Sequence, residues 1–363
     1  MTFIDINSRN LSDLYLLANG GFAPLRGFHS FDDARSIVDN LESVDGQLWP
    51  IPILLQLDAA EAAALDVGTV AQLRYNGRAV GAIRIDDRYR VPLQQWARAI
   101  FKTDEAAHPG VEAFYRGGEV AIAGPVEWRN DVAAYDLGLT GLTPAETRDG
   151  IALRGWKSVV AFQTRNPIHR AHEYILRTAL EITDGLLLHP LVGDTRGEDV
   201  PAAVRLLCYD ALLEHYLPRQ RVLLTTFHGW MRYGGPREAV LHALVRRNFG
   251  ATHFLVGRDH AGVGSYYGPY DAQELLRNIG VERLGITPLF FDDIFHCTRC
   301  GSMASSRTCA HEASHRLTLS GTEVRRRLTA GEPLPHEIAR PEVAAVLREA
   351  YAGPVLQNEA RHG

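Results

Sequence analysis

Two histidines, two arginines and two amide side chains fall within ten consecutive residues, Gln163-Thr164-Arg165-Asn166-Pro167-Ile168-His169-Arg170-Ala171-His172. A short apolar strand is expected just before them, over 159–163. Asn166 is a favoured N-cap residue and Pro167 fits the first helical position, so a helix is expected over 168–182. His169 and His172, three apart, would share one face of its opening turn. That turn presents backbone N–H groups and the positive end of the helix dipole, a ready site for phosphate. Arg165, ahead of the cap, can grip a tetrahedral oxyanion through two parallel hydrogen bonds. Gln163 adds an amide donor at the strand end. The competing reading is a structural or metal-ligating histidine pair; the Gln, Arg and Asn-Pro around it favour anion chemistry.

A second group of donors is Gly257-Arg258-Asp259-His260-Ala261-Gly262, after a strand expected over 252–256. Its glycines let backbone approach a ligand closely, and Arg258 and His260 supply donors for phosphate. Standing alone it would read as a tight turn with a surface ion pair. A third constellation is Cys297-x2-Cys300-x8-Cys309, followed by His311 and His315. Three thiolates and one imidazole make a closed structural zinc site. His315 is preferred as the fourth ligand because it directly precedes the strand leading to Leu319-Ser320-Gly321-Thr322; His311 is the alternative, and three unligated thiols are the plain reading. Cys208, in mid-helix, reads as a core residue.

These residues need elements to position them. From about residue 140 strands and helices alternate: strands over 159–163, 186–192, 221–227, 252–257 and 286–291, helices over 168–182, 201–215, 236–248 and 271–279. Such alternation implies a parallel sheet covered by helices on both faces, with ligands at the carboxyl ends of its strands. Both anion motifs sit at such ends. The first 130 or so residues read mostly as β structure with irregular connections, including a hairpin turning at Asn76-Gly77. A last helix is expected over 341–351.

Bulk properties set the frame. A chain of 363 residues with 46% hydrophobic and 22% charged residues is globular and larger than one ordinary domain. No apolar run of about eighteen residues occurs, so no membrane span is expected. Met1 to Asn10 lacks the pattern of a signal peptide, and the clustered cysteines suit a reducing compartment, so the cytoplasm is the expected location. A net charge of −5 speaks against a nucleic-acid binder. Only two lysines, Lys102 and Lys157, are present, and neither lies in the Gly-Lys-Ser/Thr setting of a phosphate loop. A triphosphate would have to be held by arginine, histidine and backbone.

The two anion motifs, with Gly20 to Phe28 (GGFAPLRGF), Leu48 to Pro52 (LWPIP), His189 to Pro201 (HPLVGDTRGEDVP), Met231 to Gly250, Tyr266 to Glu274 (YYGPYDAQE) and Leu319 to Leu328 (LSGTEVRRRL), resemble the sulfate adenylyltransferase (ATP sulfurylase) family through almost the whole chain. The resemblance implies an α/β protein: a PUA-like β domain over 1–137, a Rossmann-like nucleotidyltransferase domain over 138–285, and a small zinc-containing C-terminal domain over 286–363. It implies the reaction of ATP with sulfate to give adenosine 5′-phosphosulfate and diphosphate, with no fused kinase domain. On the family pattern Gln163, Arg165 and the backbone N–H of Ala261 hold sulfate. Thr164, Arg165, Asn166, His169 and His172 are active-site residues. Gln163, Thr164, Asn166, His169, His172 and Gly257, Arg258, Asp259, His260 contact the nucleotide. Magnesium would arrive with ATP, and a zinc site at Cys297, Cys300, Cys309 and His315 matches the bacterial enzymes. A homodimer or larger homo-oligomer is implied.

The chain departs from the family at Phe227-His228-Gly229-Trp230, where small apolar residues and proline are usual; Trp230 is expected at the active-site edge. Arg196 stands where lysine is common, keeping charge but not geometry. A related nucleotidyltransferase acting on another oxyanion or phosphorylated metabolite is the alternative reading. An RNA-binding protein built from the PUA-like domain and a zinc ribbon is a more distant one.

Overall fold

The computed structural model describes residues 2–194 and 200–353. The N-terminal part holds a seven-stranded, mainly antiparallel sheet in which the long strand Val120–Trp128 pairs with four others. The expected hairpin joins Val70–Tyr75 to Arg78–Arg84, with Asn76 and Gly77 at φ 50° and 79°. Such a two-residue left-handed turn matches the twist of the strands it joins.

This part is less purely β than the sequence reading had it. Helices Ser8–Asn19, Phe31–Asn40, Ala59–Ala63, Leu93–Phe101 and Pro109–Arg116 lie among the strands. Two carry ordinary start signals. The Asn7 side chain accepts from the Arg9 and Asn10 N–H groups, and Ser30 accepts from Asp33 N–H with Asp32 and Asp33 in the first turn. Leu11, Leu14 and Leu17 form the buried stripe of the first.

The central sheet is wholly parallel, in the spatial order Val222–Leu224, Gly185–Leu188, Val159–Phe162, His253–Val256, Thr287–Phe290. Numbered along the chain this is 3-2-1-4-5, the order of a Rossmann-like half. Its switch point lies between Val159–Phe162 and His253–Val256. There His253 pairs with Val160 and Phe254 with Ala161, which brings Gln163 and Gly257 out side by side at the carboxyl ends. The two motifs, ninety residues apart in sequence, are neighbours because of this register.

Helix Pro236–Asn248 is wedged between the sheet and the N-terminal part and is buried along almost its whole length. Arg237 donates to the carbonyls of Ile37, Val38 and Pro50, and Asn248 to those of Gly21 and Ala23, so the two loop segments near residues 20 and 50 clamp it. A buried ion pair adds to this contact. Asp13 and Arg232, 3% and 5% exposed, meet at 2.5 Å, and Trp230 Nε1 donates to the same carboxylate at 3.1 Å. Asp13→Ala would strand the Arg232 guanidinium in the interface and is expected to cost about 3–5 kcal/mol. Urea unfolding of variant and parent measures it.

Two deeply buried histidines give the fold an acid-sensitive core. Burial pushes His29 down to about 4, and burial together with the Arg246 charge pushes His189 well below the ordinary range. The unfolded chain takes up these protons near pH 6.5, whereas folded His29 resists to about pH 4 and folded His189 is likewise held well below the ordinary range. Their stabilisation is therefore complete above pH 6.5 and is lost as pH falls through this window, at up to about 1.4 kcal/mol per pH unit for each imidazole. The urea midpoint should fall between pH 6.5 and 4, and His29→Gln should flatten that fall.

Beyond the parallel sheet, Ser302–Ser305, Ile294–Cys297 and Arg316–Leu317 form a small antiparallel sheet, followed by helices Gly321–Thr329 and Pro341–Ala352. This segment docks on the helix Arg170–Leu180 through Glu173. That carboxylate, 3% exposed, receives Arg340 at 2.6 and 2.8 Å and Arg177 at 3.0 Å. No helix among the described residues is long and apolar enough to cross a membrane.

Candidate active site

A cleft of about 420 Å³ opens at the switch point and is lined by residues of both anion motifs. Gln163, Thr164, Arg165, Asn166, His169 and His172 form one wall; Gly257, Arg258, Asp259, His260 and Ala261 form another. Every nucleotide and oxyanion residue expected from the sequence thus faces one cavity.

The helix after Gln163 starts later than expected. It spans Arg170–Leu180, with His169 rather than Asn166 in the N-cap position at φ −134° and ψ 177°. The reason is local. Thr164 Oγ1 takes the Asn166 N–H at 3.0 Å, and Ile168, 1% exposed, is drawn into the core with Phe162 and Leu176, leaving 165–169 outside the helix. His169 and His172 still meet, with rings stacked at 3.8 Å between centroids. Burial lowers the affinity of both for a proton, and the neighbouring His169 lowers His172 further. His172 is the more enclosed and carries the firmer shift; His169 opens onto the cleft, where water screens part of its own. Burial thus favours the uncharged form of the pair.

The Arg165 guanidinium lies 5.0 Å from the centre of the Tyr233 ring, an aromatic support that keeps its edge for a ligand. Tyr233, Asp259 and Ala261 all have positive φ, 57°, 54° and 57°. Non-glycine residues rarely adopt this conformation, at about 1 kcal/mol or more each, and such strain gathers at ligand sites. Here the surroundings hold it: Asp259 N–H bonds to Pro269 O at 2.7 Å, and Gly235 N–H to Ala261 O at 3.2 Å. An added Cβ at Gly257 would meet no protein atom within 4 Å, so the space beside it belongs to the cleft.

Several cleft residues escaped the sequence reading. Met231 and His242 line it from the segment containing the buried helix, and Asp292, Asp293 and Ile294 close the side next to the small sheet. Asp292 accepts from the Tyr270 and Ser306 hydroxyls, and these bonds hold its carboxyl down at about 2. The helical spacing of Glu238 and His242 in an otherwise apolar stretch was the available signal.

Two expectations are corrected. Trp230 does not border this cleft: its ring packs under Arg232 at 4.2 Å and Arg9 at 5.2 Å in the contact with the N-terminal part, and Met231 takes the cleft position. A tryptophan bonded to Asp13 is pulled across the domain contact, away from substrate. In the cysteine cluster the fourth group is His311, not His315. His311 Nδ1 lies 3.4, 3.2 and 3.7 Å from the sulfurs of Cys297, Cys300 and Cys309, and all four ligand atoms lie within 4.8 Å of one another. His315 instead ends a short 3-10 turn, Ala313–His315; its carbonyl accepts from Thr298 N–H, and its ring lies 6.0 Å from that of His311, outside the ligand set. Three thiols and an imidazole at this spacing fit a metal ion. Arg196 lies outside the described residues.

With this geometry in view, similarity to known proteins becomes decisive. Residues 140–350 match the ATP-sulfurylase family model and residues 1–131 the PUA-like domain model. The sulfate adenylyltransferase of Deinococcus radiodurans is 52% identical over 96% of this chain and 89% of its own length. The chain belongs to the sulfate adenylyltransferase family. Enzymes of the same name from Symbiobacterium thermophilum and Chloroflexus aurantiacus are 50% and 48% identical, over 95% and 96% of this chain and 88% and 91% of theirs. Among solved structures, the hexameric APS kinase from Thiobacillus denitrificans superposes with a TM-score of 0.76 at 25% identity, over 96% of this chain. This chain spans 63% of that one. As a member of the family, the protein is a nucleotidyltransferase with a PUA-like and an ATP-sulfurylase domain.

Proposed function

We propose that the cleft joins sulfate to the α-phosphorus of ATP, releasing diphosphate and forming adenosine 5′-phosphosulfate, or runs this reaction in reverse. One observation carries the reading: Gln163, Arg165, Ala261, His169, His172 and Arg258 converge on a single cleft at the switch point. Sulfate is held by Gln163, Arg165 and the Ala261 N–H; the nucleotide is held by Gln163, Thr164, Asn166, His169, His172 and Gly257 to His260. The chain divides, on this reading, at 137/138 and 285/286.

Sulfate is already a dianion at neutral pH, so its attack needs no general base. A sulfate oxygen forms the new P–O bond as the bond from the α-phosphorus to the diphosphate oxygen breaks, and the electron pair leaves with diphosphate. Placing the oxygen in line and stabilising charge on the leaving group are what remains to be done. Arg165 and Gln163 fix the nucleophile. His169 and His172, as neutral donors, and the first helical turn receive the phosphates. The Arg170 N–H is already bonded to Ile338 O at 2.9 Å, so the anion is placed at the Ala171 and His172 N–H groups. Magnesium enters with ATP; Asp292 and Asp293 line the same cleft and are the hard oxygen donors suited to it. Zinc is the ion proposed for Cys297, Cys300, Cys309 and His311, since three thiolates and an imidazole select it. A homodimer or larger assembly is proposed, in keeping with the hexameric neighbour.

Exchange of labelled diphosphate into ATP tests the reaction. The purified chain should catalyse it only when sulfate is present. Exchange that ignores sulfate but responds to another oxyanion or a phosphorylated metabolite would move the activity to that acceptor.

A further inference from the structure

Glu238, His242 and Arg246 stand one turn apart on one face of the helix Pro236–Asn248, and each is at most 2% exposed. Charged and titratable groups in such a row, next to the reaction cleft, require an explanation beyond packing. The bonding of Glu238 supplies a start. Its carboxylate accepts the Arg232 N–H at 2.7 Å and the Gly234 N–H at 3.0 Å, and lies 3.5 Å from His242 Nε2. All its partners are donors, so only an ionised carboxylate satisfies them. Burial opposes that ionisation, yet the bonds from His242 and the Arg232 N–H hold the group below its ordinary range.

The tautomer of His242 follows. Its Nε2–H faces Glu238, so its Nδ1 is bare, and burial keeps the ring neutral. Two cleft side chains approach this nitrogen: His260 Nε2 at 3.2 Å, and Gln163 Nε2 at 3.2 Å, which is also 3.3 Å from His242 Nε2 and so lies over the electron-rich ring. Only a donor can face it. Gln163 must therefore turn its amide nitrogen toward His242, because the reverse would set a carbonyl oxygen against the electron-rich ring and its bare Nδ1. One N–H of that amide is spent on His242 and the second remains for the cleft. Gln163 Oε1 is buried and has no partner among the described residues, so nothing else fixes the amide. His260, likewise, must present its Nε2–H to His242.

We propose that Glu238 and His242 are positioning residues: the pair orients the Gln163 amide so that its second N–H faces the bound oxyanion, and it holds the His260 ring in its Nε2–H form. The inference rests on the reading of Gln163 as a sulfate ligand. Glu238 acts through His242, and His242 through Gln163 and His260. Through Arg232, whose N–H holds Glu238 and whose guanidinium holds Asp13, the same chain of contacts reaches the N-terminal part.

The test is steady-state kinetics of the full-length protein, reading KM for sulfate separately from KM for ATP and kcat. Four variants are compared with the parent, and the melting temperature of each is recorded. Gln163→Ala removes the ligand and should raise the sulfate KM about tenfold or more. His242→Leu should do nearly the same, with a smaller change in the ATP KM. His242→Asn, whose Oδ1 can stand where Nδ1 stood, should recover the sulfate KM to within about threefold of the parent. Leu244→Ala, on the same helix and fully buried, should lower the melting temperature without moving the sulfate KM. Glu238→Gln, nearly isosteric, sets an amide N–H against a donor and should follow His242→Leu, which covers the case that the leucine variant does not fold. A parental sulfate KM in His242→Leu or Glu238→Gln, while Gln163→Ala raises it, overturns the positioning role and leaves the sulfate assignment standing. Equal losses in Asn and Leu at 242, tracking stability as in Leu244→Ala, overturn it too. An unchanged sulfate KM in Gln163→Ala overturns the assignment of sulfate to this residue, and the inference with it.

Discussion

Arg165→Ala should lower kcat/KM for sulfate about a thousandfold, equivalent to about 4 kcal/mol of lost transition-state stabilisation. The size follows from what is removed. A guanidinium in a cleft of this kind gives two parallel charge-assisted hydrogen bonds to one tetrahedral anion, and a low local dielectric strengthens both. Its placement costs little at the moment of reaction, because the Tyr233 ring already supports it at 5.0 Å. Arg165→Lys should recover only a small part, since an ammonium keeps the charge but cannot bridge two oxygens in a fixed plane. The ATP KM and the melting temperature should change far less than the sulfate kinetics. Parallel loss of ATP binding would instead place Arg165 on the triphosphate.

Removing the metal from the Cys297, Cys300, Cys309 and His311 cluster should unfold the small sheet locally and depress activity with it. The three strands enclose only Phe295, Cys297 and Ala304 as buried apolar residues, with Cys309 partly buried against them. A core of that size cannot hold a sheet by itself. A structural zinc site can, contributing on the order of 10 kcal/mol at neutral pH. The effect should reach the cleft because Ile294 lines it and Cys297 ends the same four-residue strand. A chromophoric chelator should therefore release one zinc per chain, expose 298–315 to proteolysis and lower kcat together. His311→Ala should lose the zinc, whereas His315→Ala should keep it. Retention by the first and loss by the second would restore the ligand set expected from the sequence.

The contrast between these histidines shows where sequence reasoning stops. Spacing identified three thiolates and a nearby imidazole, but both histidines satisfied it. The choice depends on a turn that swings His311 Nδ1 to within 3.2 Å of Cys300 and leaves the His315 backbone in the sheet edge. The strand-and-helix rhythm after residue 140 was legible because apolar periods and caps are local. Which strands became neighbours was not local, yet it decided that Gln163 and Gly257 meet.

Other misses have similarly physical causes. Asn166 and Pro167 are good start signals, but burial of Ile168 outweighed them and moved the helix start to Arg170. The N-terminal helices were overlooked although Asn7 and Ser30 are ordinary caps, because short amphipathic stretches between strong strand signals are hard to separate from loops. Trp230 was expected at the cleft because it departs from the family pattern just before Met231; a partner more than two hundred residues away, Asp13, draws it elsewhere. Glu238 and His242 lay in plain view on a helix whose boundaries were read correctly. Their role emerged only when His242 was seen between Gln163 and His260.

A crystal structure of the protein soaked with adenosine 5′-phosphosulfate tests the central claim most directly. The account predicts the sulfuryl oxygens on the Arg165 guanidinium, the Gln163 amide nitrogen and the Ala261 N–H, with the α-phosphate toward His169 and His172 and Trp230 out of contact. A sulfuryl group bound elsewhere, or one that leaves Arg165 and Gln163 untouched, would contradict it.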